Sequence, residues 1–313
     1  MRNKNKIPLE QAWQNWTNCL NGEDINSIFR QITTNIWDTA IFRIILESRN
    51  NQIRKNPRSP EINWALQSFI DRNYFQAQSA FIRRLTDQSY GLTGDKGIYS
   101  IGAMIKNIQS YRLELTREKY FKLRNMPYDY LEVRKRMVDF LGKQDLEEGF
   151  SVPSEFNWES IAEAHQTFNR LCHVTEQTRK ADDLIVESVF TRLFNKLDTC
   201  KNIKNYVDKF IAHSATPESR SSLEMDKVKI TFRQLWDAHK IIIEVADFLS
   251  FILFSVGHYV LAIENPGFYQ FWEKPICENG EIDTIRTTLD SYRKETEKWI
   301  LEGTDSIWRW IEA

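Results

Sequence analysis

The sequence predicts an all-α protein, a multi-helix bundle, and three observations lead to that prediction. Apolar residues recur at steps of three and four along almost the whole chain, the spacing of one face of an amphipathic helix. Only 11 glycines and 8 prolines punctuate the 313 residues, which favours long helices over many short strands. No segment keeps the alternation of apolar and polar residues that is typical of a β-strand.

The N-terminal part of the chain is predicted to form three helices. The first covers residues 8–20, and the second covers 24–49 with an apolar stripe that starts at Ile25. The proline-containing cluster 56–60 is a break. It ends in serine and proline followed by glutamate, so the third helix is expected to start there and to run to about Thr86.

A glycine-containing segment, residues 91–97, follows the third helix. It lacks the G-K-[ST] ending of a phosphate-binding loop and no buried strand precedes it, so we interpret it as a connection. Further helices are predicted over 98–111 and 115–143, the second of them strongly charged. Residues 147–153 then have the composition of a linker.

The predicted linker divides the chain into two regions of opposite charge. Residues 1–150 carry 23 Lys and Arg against 17 Asp and Glu, a net charge of +6, whereas residues 151–313 carry 19 against 26, a net charge of −7. We therefore expect an N-terminal helical region, 1–150, and a C-terminal helical region, 151–313, which could also form one continuous domain. The basic half could meet nucleic acid, the acidic half or a partner protein.

Four helices are predicted in the C-terminal region, over 157–178, 181–213, 226–260 and 282–301. The helix over 181–213 has the most regular apolar stripe. Residues 248–263 contain no Asp, Glu, Lys or Arg, but these 16 residues fall short of the roughly 20 that cross a bilayer. We therefore expect a buried core helix there and no membrane association.

The cysteines and histidines indicate neither a metal site nor a cofactor. The four cysteines are far apart and form no C-x-x-C pair, which is typical of the reducing cytosol and predicts a cytoplasmic location. His165 and Cys172 lie two turns apart on one predicted helix, but a zinc site would need further ligands. His239 and His258 sit among apolar neighbours and are interpreted as core histidines with satisfied hydrogen bonds.

One segment at the end of the helix predicted over 181–213 reads Y-V-D-K-F-I-A-H-S and covers Tyr206 to Ser214. It places His213 in the last helical turn, after a part of the helix that carries apolar residues. An imidazole held there can accept or release a proton near neutral pH. A histidine at this position is equally explained by its favourable interaction with the helix dipole and with unpaired carbonyls.

The D-K-x-I-A-H-S segment resembles the signature of the HEPN family (higher eukaryote and prokaryote nucleotide-binding), in the branch of phage abortive-infection proteins. The family pattern is an Arg, a polar residue and, four to six positions later, a His. The resemblance implies a HEPN-type helical bundle, metal-independent RNA cleavage, and a homodimer in which two such helices face each other. It covers one helix closely and about half of the chain loosely.

The sequence departs from the family pattern at the arginine. Val207 stands where the guanidinium is expected, and Asp208 occupies the polar position after it. Lys209 is expected on nearly the same helix face as His213 and could supply a positive charge instead. We therefore take His213, Lys209 and Asp208 as the candidate catalytic residues, with Asp208 either orienting the ring or pairing with Lys209.

Two basic patches are candidates for nucleic-acid contact. Arg83 and Arg84 belong to an R-L-x-D segment that also resembles the abortive-infection branch, and they could supply the missing phosphate contacts; a solvated helix end is the other interpretation. Arg134, Lys135 and Arg136 form the strongest basic stretch. Four aromatic residues accompany it, Tyr120, Phe121, Tyr128 and Tyr130. They would suit stacking on unpaired bases, although a solvated helical face is the simpler interpretation.

Two functions follow from these residues. The first is a metal-independent endoribonuclease of a prokaryotic defence or toxin system, with His213 as the proton-transfer residue. The second is a degenerate relative of such nucleases that binds RNA, a nucleotide or a protein partner without turnover, and an unrelated helical scaffold is a third interpretation. RNA is the expected partner, an antitoxin or another defence protein stays open, and no cofactor is expected.

Overall fold

The computed structural model describes residues 6–60, 62–142, 157–212, 215–221, 230–254, 261–263, 268–270 and 282–313. Within these ranges the chain forms twelve α-helices, one π-helical turn and no strand beyond an isolated antiparallel bridge between Thr116 and Leu184. The prediction of an all-α multi-helix protein is confirmed. The elements are α1 Leu9–Asn21, α2 Ile28–Lys55, α3 Trp64–Leu85, α4 Ile101–Ser110, α5 Arg117–Leu123, α6 Tyr130–Leu141, α7 Trp158–Cys172, α8 Glu187–Asp198, α9 Lys201–Tyr206, the π-helical turn Val207–Ile211, α10 Pro217–Ser221, α11 Phe232–Phe254 and α12 Ile282–Glu312.

Helix α2 begins later than its apolar pattern predicts, because a turn precedes it. The Asp24 carboxylate accepts a hydrogen bond from the backbone N of Asn26 at 2.7 Å, and the Asp24 carbonyl accepts one from Ser27 at 2.9 Å. Ile25 therefore lies in the turn and is 80% exposed. The prediction that Ile25 belongs to the buried stripe is wrong.

Helix α3 also begins later than predicted, at Trp64 rather than next to the proline cluster. The Asn63 side chain accepts a hydrogen bond from the backbone N of Leu66 at 3.0 Å and so caps the first turn. The glycine-containing segment after α3 is a connection, as predicted.

The helix predicted over 115–143 is two helices, α5 and α6, separated by a turn. Asn125 takes a left-handed backbone conformation with φ 53°, which ends α5, and Pro127 follows it. Helix α6 then starts anew, because the Asp129 carboxylate accepts hydrogen bonds from the backbone N of Leu131 and Glu132 at 2.9 and 3.2 Å.

The prediction of one helix over 181–213 is wrong: its first part is not helical, and its later part is divided into shorter elements. Before α8, the backbone carbonyls of Asp183 and Ala181 accept from the N of Arg117 and Glu118 at 3.1 and 3.0 Å, which holds this stretch extended. After α8, the chain turns into the short helix α9 and then into the π-helical turn.

The remaining predicted helices form with shifted ends. Helix α7 stops at Cys172, because His173 takes the left-handed conformation with φ 55°. Helix α12 continues eleven residues beyond its predicted end, to Glu312.

Helix α11 is the central helix of the core. In the helical, described part of the uncharged segment, residues 248–250, 252 and 253 are buried, which agrees with the predicted core helix. Helix α12 packs along α11 and also contacts α2 and α8. Among the described helices, none has an apolar stretch long enough to cross a membrane.

Helices from the two halves of the chain pack against one another. Helix α2 contacts α12, α3 contacts α11, and α4 contacts α8, and one hydrophobic cluster includes side chains from all of them. The predicted linker at 147–153 lies outside the described residues. The packing nevertheless places the end of α3 beside the candidate signature turn, although the two are far apart in sequence.

Candidate functional site

The end of α3 and the π-helical turn meet in the folded chain. Arg83 Nε donates a hydrogen bond to Asp208 Oδ1 at 2.9 Å, a contact between residues 125 positions apart. Arg83 Nη1 also lies 3.1 Å from Asp87 Oδ2. About a third of each side chain of the Arg83–Asp208 pair is exposed, so the contact is accessible from solvent.

Apolar packing beneath the pair positions the π-helical turn. Helix α3 packs along α9 and the turn, where the Phe75 ring meets the Tyr206 ring edge-on at 5.5 Å, and Tyr206 stacks on Phe210 at 5.0 Å. The backbone N of Ala212 donates to the Val207 carbonyl at 2.7 Å, the i to i+5 spacing of a π-helix. Single π-turns of this kind are frequent at functional sites.

Val207 is a core residue, which bears on the missing arginine. Its side chain is 2% exposed and belongs to the hydrophobic cluster. An arginine at this position would bury its charge at a high free-energy cost. The structure instead brings the guanidinium of Arg83 to Asp208, the next residue along the chain.

The other candidate catalytic residues fall into two groups. Lys209 is half-buried, and its Nζ donates to Ser219 Oγ at 2.7 Å, so Asp208 pairs with Arg83 and not with Lys209. His213 and Ser214 lie outside the described residues. The role of His213 therefore stays a prediction.

Asp87 organises the connection between α3 and α4. Its carboxylate accepts from the backbone N of Ser89 at 2.7 Å, and its carbonyl accepts from the Ser100 hydroxyl at 2.7 Å. Ser100 Oγ in turn caps α4 by accepting from the Ala103 N at 2.9 Å. A Cβ on Gly102 would lie 2.5 Å from the Asp87 carbonyl oxygen, so only glycine permits this close approach.

A cavity of about 400 Å³ lies between the start of α2, the end of α3 and this connection. The guanidinium that contacts the π-helical turn therefore also forms part of the cavity wall. The lining residues are Asp24, Asn26, Gln31, Arg83, Arg84, Asp87, Tyr90, Gly97, Ile98 and Tyr99.

Arg84 differs from its neighbour Arg83 in its partners. Arg84 Nε donates to Gln31 Oε1 at 2.8 Å, and in the described part of the chain no carboxylate lies within ion-pair distance of it. Gln31 is only 7% exposed and is itself fixed by a bond from Nε2 to the Asn26 carbonyl at 2.5 Å. Surrounding protein atoms lower the pKa of Arg84 by desolvation, although the side chain keeps an exposed part.

The basic stretch Arg134, Lys135 and Arg136 is exposed on α6. The Arg134 guanidinium lies 4.9 Å from the centre of the Trp158 ring on α7, against which α6 packs. Arg83 and Arg84 belong to α3, a different packing layer that contacts α2, α9, the π-helical turn and α11. The two predicted basic patches are thus carried by separate elements.

The aromatic residues near that stretch do not form a stacking surface as a group. Tyr120 and Phe121 are each 1% exposed, and the Tyr120 hydroxyl donates to the Ile252 carbonyl at 2.6 Å. Their expected role in base stacking is wrong, because their rings fill the core. Tyr128 and Tyr130 pack around the ring of His165 at 5.0 and 5.9 Å.

The buried histidines are structural. His165 Nε2 lies 2.7 Å from the Tyr128 carbonyl, the ring stacks on Phe121 at 4.1 Å, and burial lowers its pKa to about 4. His239 is a core residue, as predicted, but neither ring nitrogen has a hydrogen-bond partner among the described residues, so the prediction of satisfied hydrogen bonds is wrong. Burial, reinforced by the Arg43 guanidinium, lowers the pKa of His239 to about 3.

A metal site is not found among the described residues, where no three His, Cys, Asp or Glu side chains cluster suitably. His258 lies outside these residues, so its interpretation stays a prediction.

Several residues of the cavity had no signal in the sequence. Gln31 comes from α2, whereas Tyr90 and Tyr99 come from the connection between α3 and α4, and none of the three was a candidate site residue in the sequence. In the sequence, only the preference of Asp and Asn for turns distinguishes Asp24 and Asn26. Of the cavity wall, the sequence indicated Arg83 and Arg84 as candidates for binding, together with Asp87 as the last residue of the R-L-x-D segment.

Comparison of the chain with protein-family models, with curated proteins and with solved structures yields no match.

Proposed function

We propose that this protein targets RNA as a HEPN-type, metal-independent endoribonuclease, with Arg83 in place of the arginine that the signature helix lacks. The observation that carries the proposal is the 2.9 Å contact between Arg83 and Asp208. It joins the two segments that resemble the abortive-infection branch. A guanidinium next to the signature turn is the group that binds a scissile phosphate and stabilises its developing charge.

The proposed reaction uses the nucleophile of the RNA itself. A base removes the proton from a ribose 2′-hydroxyl, the 2′-oxygen attacks the neighbouring phosphorus, and the bond from phosphorus to the 5′-oxygen breaks. The leaving 5′-oxygen takes up a proton, so the products are a 2′,3′-cyclic phosphate and a 5′-hydroxyl. His213 is proposed as the group that takes or gives one of these protons, and Arg83 and Lys209 as phosphate contacts.

Two partner proposals accompany this function. A homodimer would pair two signature turns across one cleft, and an antitoxin or another defence protein would restrain the nuclease. Light scattering on the purified chain tests the first proposal, because a monomer at the concentration that cleaves RNA contradicts it.

RNA binding without cleavage is the second candidate, and one observation favours it. The Arg83 guanidinium faces two carboxylates, Asp87 and Asp208, whose charges compensate its own. A phosphate must compete with them for the same donors. If Arg83 stays paired, the surface retains RNA through Arg84 and Lys209 and leaves it intact.

Incubation of the protein with a labelled single-stranded RNA in EDTA separates the two functions. Cleavage predicts fragments that end in cyclic phosphate, and their loss in His213→Ala and in Arg83→Gln. Arg72→Gln serves as the matched control, because Arg72 is an exposed arginine of the same helix. RNA that is retarded in a gel but left intact supports binding alone, and RNA neither bound nor cut contradicts both functions.

A further inference from the structure

The cavity beside Arg84 has the organisation of a preformed ligand site. Its volume of about 400 Å³ lies within the range of about 300–1,000 Å³ that is usual for small-molecule pockets. The connection that forms one wall is fixed by the hydrogen bonds of Asp87 and by the close approach of Gly102. The site therefore needs no rearrangement of this connection before a ligand enters.

Arg84 is the residue of this cavity whose hydrogen-bond donors can still bind an anion. Its Nε is held by the buried Gln31 amide, while its two terminal nitrogens have no acceptor in the described part of the chain. A guanidinium offers these nitrogens as a fork that fits two oxygens of one phosphate. Because Arg83 is already paired with Asp87 and Asp208, Arg84 is the better phosphate contact of the two.

Other residues that line the cavity offer groups of different chemistry. The Asp24 carboxylate accepts from Asn26 N at 2.7 Å through Oδ1, which leaves Oδ2 for N–H donors of a ligand. Tyr90, which is 44% exposed, and Tyr99 also line the cavity and contribute aromatic rings to it. These groups suit a ligand that combines an anion, N–H donors and a flat ring.

We infer that this cavity takes one nucleotide unit, with its phosphate on Arg84 and its base edge against Asp24. The inference rests on the proposed function, since the unit is a nucleotide of an unpaired RNA strand that continues past Arg83 towards the π-helical turn. Unpaired bases can be splayed from the strand, stacked on aromatic side chains and read along their edges. A free nucleoside monophosphate has the same chemistry and is separated from the strand by experiment.

Fluorescence anisotropy with a labelled single-stranded RNA dodecamer tests the inference. Nucleoside 5′-monophosphates are expected to displace the RNA, whereas ribose 5-phosphate at the same concentration is not. Arg84→Gln should weaken RNA binding by about tenfold, the effect of losing a charge-assisted hydrogen bond. Asp24→Asn keeps the oxygen that binds Asn26 N and should weaken monophosphate binding several-fold while leaving the fold unchanged by circular dichroism.

The possible results separate the inference from the function on which it rests. RNA that binds but is neither displaced by monophosphates nor weakened by Arg84→Gln overturns the cavity assignment and leaves RNA targeting in place. Monophosphates that bind by calorimetry to a protein that does not bind RNA overturn RNA targeting and assign the cavity to a free nucleotide. Arg72→Gln should change neither measurement.

Discussion

At the scale of single residues, Val207 decides how the missing arginine is to be understood. The resemblance aligns Val207 with the arginine of the family pattern, but it could not show that this side chain is 2% exposed and part of the core. The position therefore favours an apolar residue, and a positive charge reaches the signature turn from α3 instead.

Restoring the family pattern by Val207→Arg should therefore damage the protein. We expect a loss of at least about 3 kcal/mol in the free energy of unfolding, because the guanidinium would enter an apolar core without a partner. Urea denaturation measures this loss. Asn202→Arg, an exposed position on α9, is the matched control and should change stability by less than about 0.5 kcal/mol. A stable Val207→Arg protein with increased RNA cleavage would contradict this account.

His239 gives the protein a defined sensitivity to acid. Its pKa is about 3 in the folded chain and about 6.5 in the unfolded one, so the unfolded state binds more protons between these values. The protonation of His239 therefore does not change the free energy of unfolding above about pH 6.5. Below that pH, it lowers the free energy of unfolding by up to about 1.4 kcal/mol for each pH unit. His165, with a pKa of about 4, adds a second term of the same sign.

Replacing His239 by leucine should remove one of these two contributions to the pH dependence of stability. Between pH 6.5 and pH 5 the free energy of unfolding of His239→Leu is expected to fall less steeply than that of the wild type. The difference between the two slopes should be up to about 1.4 kcal/mol per pH unit. Above pH 7 the two curves should run parallel. Urea titrations at each pH give both curves, and identical slopes below pH 6.5 would show that His239 does not stay neutral in the folded chain.

At the scale of elements, the connection between α3 and α4 depends on a glycine. Gly102→Ala would place a Cβ 2.5 Å from the Asp87 carbonyl oxygen, so the start of α4 must move away from the connection. We expect a loss of about 1–3 kcal/mol in stability and weaker RNA binding. Gly142→Ala is the control, because φ is −68° there and the nearest atom lies at an ordinary 3.4 Å. Equal stability of the two variants would contradict the close approach.

The extended stretch before α8 is fixed to α5 by a buried ion pair. Arg117 is fully buried, and its Nη2 and Nε lie 2.8 and 3.1 Å from Asp183 Oδ2. Asp183→Ala leaves this charge unpaired in the interior, so we expect a loss of about 3–5 kcal/mol. Asp182→Ala removes the adjacent exposed carboxylate and should cost less than about 0.5 kcal/mol. Thermal and urea unfolding of both variants measure the difference.

Element boundaries show where sequence reasoning succeeds and where it cannot. The apolar spacing located the first three helices and α12, because burial of one helix face dominates these segments. It merged α8, α9 and the π-helical turn into one helix, since a stripe at steps of three and four tolerates one extra residue. The extended stretch before α8 depends on Arg117, 66 positions away from Asp183, and no local pattern encodes such a contact.

At the scale of the whole molecule, the salt dependence of RNA binding tests which basic surface would contact RNA under the proposed function. Each phosphate contact on a single strand contributes about 0.7 to the slope of log affinity against log salt concentration. Contacts from Arg83, Arg84 and Lys209 alone predict a slope of about −2, and participation of the three basic residues of α6 predicts about −4. Anisotropy between about 50 and 300 mM KCl gives the slope.

Two variants with three substitutions each show which basic surface gives rise to the salt dependence. Replacing the three basic residues of α6 by glutamine should leave the slope unchanged, whereas replacing Arg83, Arg84 and Lys209 should bring it close to zero. The reverse result would assign RNA to α6, where the basic side chains are exposed.

The candidate site could be predicted from sequence only in its parts. Arg83, Arg84, Asp208 and Lys209 were indicated by residue type and by resemblance, but no local pattern shows the contact between Arg83 and Asp208, because these residues are 125 positions apart. The cavity was not foreseen, since it forms where the start of α2, the end of α3 and a connection converge. Three-dimensional packing alone brings these segments together.

The pairing of the earliest long helix with the last one has a consequence during translation. Arg43 of α2 pairs with Glu295 of α12, 252 positions later, and its guanidinium lies 4.4 Å from the Tyr292 ring. In a chain that is still being synthesised, α2 leaves the ribosome long before α12, so the contacts of α2 with α12 form only after α12 has been made. Packing of α12 against α2 is therefore a late step of folding during synthesis.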